Sequence, residues 1–151
     1  MAREELAVFT NMCMLCDDAG RVLAQRRRDP AWPGVCFPGG HVEAGESFVH
    51  SVVREMAEET GLHIATPRLC GVKQFQTQAG ARYVVLLYRS HGYTGTLRPS
   101  DEGEVFWVPL QDLPRLDLAS GFAEMLQIFC TDQYSECQYV RRDGALETLL
   151  L

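Results

Sequence analysis

Three glutamates set the chemistry this chain can perform. Glu55, Glu58 and Glu59 stand at i, i+3 and i+4, and a helix turning about 100° per residue gathers such positions on one stripe. Carboxylates packed this closely repel one another and weaken the helix that carries them. A bound divalent cation relieves the repulsion, and an all-oxygen donor set suits a hard ion such as Mg2+ or Mn2+. On spacing alone the competing reading is a solvated helix face. The Gly39-Gly40 pair ahead of the stretch favours a site, because backbone without side chains can approach a ligand or offer a carbonyl to a metal. Arg54 lies four residues before Glu58, placed to orient it or to form a plain surface salt bridge. Glu46 falls where the helix should begin and suits a capping or dipole role as well as metal contact.

The elements around these residues follow from pattern. Residues 46–60 contain no Pro or Gly and Gly61 supplies a stop, which predicts a helix with Val49, Val53, Met56 and Ala57 on its buried face. Residues 6–16 read as a buried strand closed by a turn at 17–20, and 22–25 as a second strand. The Pro- and Arg-rich stretch 26–34 reads as a loop, with Trp32 packing beneath the glycine turn or, alternatively, stacking on a base. Residues 68–75 and 81–90 predict a hairpin and 104–109 a further strand. A second helix is expected over 118–130, with Phe122, Met125, Leu126 and Phe129 at helical spacing. Near the end, 139–142 reads as an edge strand, and Leu149, Leu150 and Leu151 as an apolar tail that must pack somewhere or mediate a homodimer. Strands surround two helices without strict βαβ alternation, so the expected class is an α+β sandwich.

Composition bounds the partners. The chain has 151 residues, with 14 Lys plus Arg against 20 Asp plus Glu and a net charge of −6. That is one domain, 1–151, able to bury a core without disulfides or structural metal. The acidic balance argues against nucleic acid or an anionic membrane as a partner. Lys73 is the single lysine, the other basic residues being arginine, a bias that suits bidentate phosphate contacts. No stretch suits a signal peptide or membrane span, so a cytoplasmic protein is expected, and its six cysteines are expected to stay reduced. Cys13 and Cys16 have C-x-x-C spacing without a second pair and read as buried strand residues.

The segment from Gly40 to Leu62 fits G-x5-E-x7-R-E-U-x-E-E-x-G-U, with U an aliphatic residue, at every fixed position. It resembles the signature of the Nudix hydrolase family. The resemblance implies an α/β/α sandwich with a mixed sheet, and Mg2+-dependent hydrolysis of a nucleoside diphosphate linked to another moiety. By position it makes Glu55, Glu58 and Glu59 metal ligands, with the carbonyl of Gly39 or Gly40 completing the shell. Arg54 would act beside them, and one carboxylate would deprotonate the attacking water. In MutT-like members a glutamate of a later loop reaches the metal. The Glu102-Gly103 pair looks like that position, with Glu104 the competitor.

The markers that go with ADP-ribose, dinucleoside polyphosphate and NADH hydrolysis in this family are absent from residues 77–80, which leaves the nucleoside triphosphate group. Residues 22–27 look like the MutT strand that ends in arginines, and 80–85 like its arginine-bearing hairpin strand, which implies Arg27 and Arg82 as nucleotide contacts. With Phe37, Gly39 and Asp117 they form the expected substrate-binding set. Asp117 stands where the MutT pattern has Asn, a departure that bears on oxidised-guanine specificity. The activity implied is cleavage of a purine nucleoside triphosphate such as 8-oxo-dGTP to the monophosphate and pyrophosphate. The alternatives are another Nudix substrate, namely a nucleotide sugar or an RNA 5′-triphosphate end, or a catalytically silent sensor domain. Glu43, Glu46, Glu55, Glu58, Glu59, Asp101, Glu102 and Glu104 lie in two segments expected to face one cleft, which should attract phosphate only once divalent ions are bound.

Overall fold

The computed structural model describes residues 2–151. A long first strand, β1 (Ala7–Cys16), runs through the middle of the main sheet. At its end Asp17 Oδ1 accepts from the backbone N–H of Ala19 and of Arg21, both at 2.9 Å, a side-chain-stabilised turn. The chain reverses into β2 (Arg21–Arg27), which touches β1 only at Cys16 opposite Val22 and then diverges. The loop expected over 26–34 is trimmed at both ends: β2 runs on to Arg27, and a short strand, β3 (Gly34–Cys36), starts at Gly34 and pairs with the end of β2.

Helix α1 (Phe48–Thr60) is followed by β4 (Leu62–Ile64), β5 (Arg68–Gln76), β6 (Arg82–His91), β7 (Tyr93–Gly95) and β8 (Gly103–Pro109). A 3-10 segment (Leu110–Arg115) then leads to α2 (Phe122–Cys130), β9 (Glu136–Arg142) and β10 (Ala145–Leu150). The main sheet runs β10-β9-β5-β6-β1-β2-β3, with β8 also paired to β2, while β4 and β7 form a separate ribbon. The sheet is mixed: β1 runs parallel to β6 and β5 parallel to β9, and the remaining pairs are antiparallel. The expected hairpin of β5 and β6 is present, with an irregularity between Leu69 and Gly71.

Side chains alternate across the sheet and feed two cores. On one face Leu15, Leu23, Leu86 and Tyr88 pack with Val52 and Met56 of α1. On the other, Val22, Ala24, Val85 and Leu87 pack with Phe122, Met125, Ile128 and Phe129 of α2. The α+β sandwich expected from sequence is therefore formed, one helix to each face.

Several expectations shift. The first helix starts at Phe48 rather than 46, because Ser47 caps it by accepting from His50 N. Its buried stripe is Ser51, Val52, Met56, Glu59 and Thr60; Val49 is exposed. The second helix starts at Phe122, after Gly121 in the left-handed conformation. Leu149 and Leu150 belong to β10, an edge strand antiparallel to β9, and just beyond it the Leu151 carbonyl accepts from Ser135 N and Glu136 N. Among the described residues no helix is long and apolar enough to cross a membrane.

Candidate active site

Residues 38–42, the glycine turn, lie along β1 and are bonded to it. Cys13 N donates to the Pro38 carbonyl, Asn11 N to the Gly40 carbonyl and Val42 N to the Phe9 carbonyl. Gly39 is sterically required by the β1 backbone, and Gly40 leaves the space that the Glu55 side chain occupies. A Cβ at position 39 would sit 2.0 Å from the Asn11 carbonyl oxygen, and one at 40 would sit 2.2 Å from Glu55 Cδ. The Glu55 carboxyl therefore stands directly over the Gly40 backbone.

Asn11, a buried amide in a largely apolar strand, ties this arrangement to the helix. Its Oδ1 accepts from Gly40 N at 3.1 Å and its Nδ2 donates to Ser51 Oγ at 2.9 Å. Sequence reading missed it; the signal available was an amide inside a buried run, which must find partners.

Gly61 closes α1 at φ 77°, and a Cβ there would meet the Thr96 carbonyl at 2.4 Å. On the helix stripe Glu59 is drawn inward to 7 % exposure, while Glu58 faces solvent. Glu59 Oε2 accepts from Gly39 N at 3.2 Å and from Nε2 of the buried Gln25 at 3.4 Å. Burial, the neighbouring Glu55 charge and the Glu102 charge push its carboxyl up to about 8, against the Gly39 N–H that favours the anion. Burial also raises Glu55, with the Arg54 bond opposing.

Arg54 holds the cluster together. Its Nε and Nη2 donate to the two oxygens of Glu46 at 2.7 and 3.0 Å, a bidentate pair. Nη1 donates to Glu55 at 2.9 Å and to Glu58 at 3.1 Å, and Nη2 also reaches the His41 carbonyl at 2.9 Å. These bonds raise the guanidinium pKa and hold Glu46 down to about 2. Glu46 also accepts from Glu43 N at 2.9 Å. It thus organises the loop before the helix and anchors Arg54.

The acidic loop behaves as two parts. Glu102 is exposed, its carbonyl accepts from Arg28 N, and its charge acts on both Glu55 and Glu59. Glu104 registers opposite Arg26, and Ala24 opposite Phe106. That row lies on the α2 face, away from the glutamates of α1. Strand alternation thus removes Glu104 from the cleft expected to hold all eight acidic residues.

As the side chains stand, no three His, Cys, Asp or Glu groups among the described residues form a ready metal cage; Arg54 Nη1 is bonded to both Glu55 and Glu58. The donor chemistry nonetheless fits a hard divalent cation: desolvated carboxylates, acceptor oxygens only, and a Gly39 carbonyl that receives no hydrogen bond among the described residues, whereas that of Gly40 accepts from Asn11.

The remaining residues of the expected substrate set are placed differently. Phe37 is a correction: it is 1 % exposed and wedged edge-on against Phe122 and Phe129, at 4.9 and 5.0 Å between centroids. No ring face is left for a ligand, since the strand alternation that follows β3 turns it into the α2 core. Arg82 is held by Glu5 and donates to Gln74 Oε1 at 3.0 Å, so it would have to leave those partners to reach a nucleotide. Arg27 donates to the Trp32 carbonyl at 2.9 Å and lies 4.9 Å over the Trp32 ring. Trp32 is accordingly not beneath the glycine turn; its Nε1 donates to the Ser120 carbonyl at 2.9 Å. Asp117 is exposed, and its carbonyl accepts from Val35 N.

The family model described as the NUDIX domain matches residues 9–129. The chain belongs to the Nudix family. An uncharacterized Nudix hydrolase of Bacillus subtilis, YvcI, is 33 % identical over 126 residues, covering 80 % of this chain and 78 % of that protein. A MutT NUDIX hydrolase of Burkholderia pseudomallei superposes with TM-score 0.69 at 28 % identity, over 82 % of this chain and 98 % of that one. A mutator MutT protein of Bacillus halodurans shares the fold at TM-score 0.79 and 24 % identity, over 95 and 97 % of the two chains. The protein is a Nudix hydrolase of MutT-like type, and the Nudix signature residues are those that Asn11, Gly39, Gly40 and Arg54 bring together. Nudix hydrolases work with divalent metal ions, in keeping with the donor set.

Proposed function

We propose that this hydrolase is a Mg2+-dependent nucleoside triphosphate pyrophosphohydrolase. It would cleave purine nucleotides, including oxidised ones such as 8-oxo-dGTP, to the monophosphate and pyrophosphate. The observation that carries the reading is the pair Glu55 and Glu59, both partly desolvated and set against the Gly39-Gly40 backbone. Arg54 answers one of these carboxylates and only neutral donors answer the other, so a divalent cation carrying a polyphosphate would stabilise both as anions.

Glu55, Glu58, Glu59 and Glu102, with the Gly39 or Gly40 carbonyl, would hold the metal. When bound there, a divalent ion would supply charge neutralisation for the triphosphate and Lewis-acid polarisation of its phosphoryl oxygens. Arg54 keeps Glu55 and Glu58 in register and Glu46 keeps Arg54 in place. One of the four carboxylates takes the proton of the attacking water. Arg27, in register with Gly34, and Asp117, whose carbonyl accepts from Val35 N, both lie beside β3 and would contact the nucleotide. The four charged residues of the signature support an enzyme over a silent binding domain, which has no use for them in this arrangement.

The test is pyrophosphate release from a nucleotide panel with Mg2+, comparing wild type with Glu58→Gln. Release that depends on Mg2+ and collapses in the variant is expected. Absence of release from every nucleotide, or an unimpaired variant, removes the reading. A kcat/KM ratio near one for 8-oxo-dGTP against dGTP removes only the oxidised-purine part.

A further inference from the structure

Lys73 is the single lysine of the chain, and it lies 6 % exposed in the middle of β5. It forms no hydrogen bond or ion pair with the described residues; instead its ammonium sits 4.4 Å from the Tyr139 ring centroid, 5.5 Å from Trp32 and 5.9 Å from Phe75. No buried side-chain N or O atom of the described residues is both fully enclosed and unbonded, so this nitrogen must open onto solvent between the rings. Glu124 on α2 is felt through its charge but is not bonded to it.

The rings form a floor. Tyr83, Phe75 and Tyr139, from three adjacent strands, stack in a row with centroids 5.1 and 5.9 Å apart and planes 14° and 27° from parallel. All three are only half-buried, as is Trp32 at the side. Tyr139 is pressed against the start of α2, where Gly121 leaves room for it; a Cβ there would fall 1.7 Å from its hydroxyl.

Phe75 is stacked on both sides, so the row turns half-buried ring edges, not an open face, towards anything that approaches the ammonium. An ammonium offers three donors and no acceptor, so it can bind a ring edge that carries carbonyl oxygens or bare ring nitrogens, as guanine does with O6 and N7. Adenine and cytosine turn an amino group to the corresponding edge, and two donors facing each other in a desolvated pocket leave both unpaired, a heavy penalty.

We propose that Lys73, set among Trp32, Phe75 and Tyr139, is the specificity-determining residue that selects keto-bearing nucleobases over amino-bearing ones. This rests on the nucleotide reading above but is tested apart from hydrolysis. Binding is measured with Ca2+ in place of Mg2+, using GTP, ITP, ATP and inorganic tripolyphosphate on wild type and Lys73→Met. Methionine keeps the stem and the packing, and a thermal melt confirms folding. Wild type is expected to bind GTP and ITP at least about tenfold more tightly than ATP. In Lys73→Met this ratio should fall to within about twofold, with tripolyphosphate binding unchanged. In turnover, KM for the keto nucleotide should rise while kcat holds.

A wild type that does not discriminate overturns the proposal, as does discrimination that survives in Lys73→Met. Equal weakening of GTP and tripolyphosphate also overturns it, by showing that the ammonium reads phosphate. If GTP preference and its loss appear in binding but no nucleotide is hydrolysed, this inference stands and the pyrophosphohydrolase reading falls.

Discussion

The carboxylate cluster beside α1 and the aromatic floor beside α2 treat buried charge in opposite ways. In the first, charge answers charge: Arg54 is bonded to Glu46, Glu55 and Glu58 at once, and only Glu59 depends on neutral donors. In the second, one ammonium is surrounded by rings and has no anion bonded to it. Paired charges are held in a fixed geometry, which is what positioning a metal and a triphosphate requires. An unpaired charge keeps its bonding capacity for whatever enters, which is what recognition requires.

The comparison breaks first at Glu59. Glu59→Gln should keep the fold and lower kcat/KM about 10²- to 10⁴-fold in a pyrophosphate-release assay; near-normal turnover would show that the buried member of the cluster does no chemistry. Next comes Phe37→Ala, expected to cost about 3–5 kcal/mol in denaturant unfolding while KM in the remaining folded protein holds. A KM change with intact stability would return Phe37 to the substrate. Arg54→Ala should cost about 1–3 kcal/mol in denaturant unfolding through the carboxylates it leaves unpaired, and Glu46→Gln should reproduce part of that stability loss.

A finer contrast lies within the acidic loop. Glu102→Gln should lower activity by about tenfold and weaken metal dependence, whereas Glu104→Gln, on the far face, should do neither. The smallest effect is a slope. In chelator, Glu59 titrates near 8 in the folded protein against an ordinary 4.5. The folded state therefore holds a proton that the unfolded state releases. That contribution to stability is complete below pH 4.5 and is lost as pH climbs through about 8. Melting temperature of the metal-free protein should fall across this window, and the fall should shrink in Glu59→Gln.

What was legible in the sequence was local. The i, i+3, i+4 glutamates, the helix stop at Gly61 and the alternation of β5 and β6 depend on neighbours a few residues away. The misplaced residues depend on distant ones. Phe37 adjoins the glycine turn in sequence, yet its ring is claimed by Phe122 and Phe129 of α2. Asn11 acquires its role only when residues 38–42 settle along β1. Lys73 was visible as a lone lysine, but the rings around it come from β5, β9 and the loop after β2. One local signal went unread: Asp143 and Gly144, both at positive φ, form the Asp-Gly turn that joins β9 and β10.

The pairing of β1 with β6 carries a consequence for how the molecule assembles. All ten residues of β1 align in parallel with β6, Ala7 opposite Arg82 and Cys16 opposite His91. A ladder joining such distant segments needs a large loop to close before any of its bonds form, which places folding towards the slower end for a domain of this size. The glycine turn lies along β1, and Lys73 lies on β5 beside β6. Neither half of the site meets the other until this ladder zips, so recovery of activity during refolding should track the slowest phase rather than precede it.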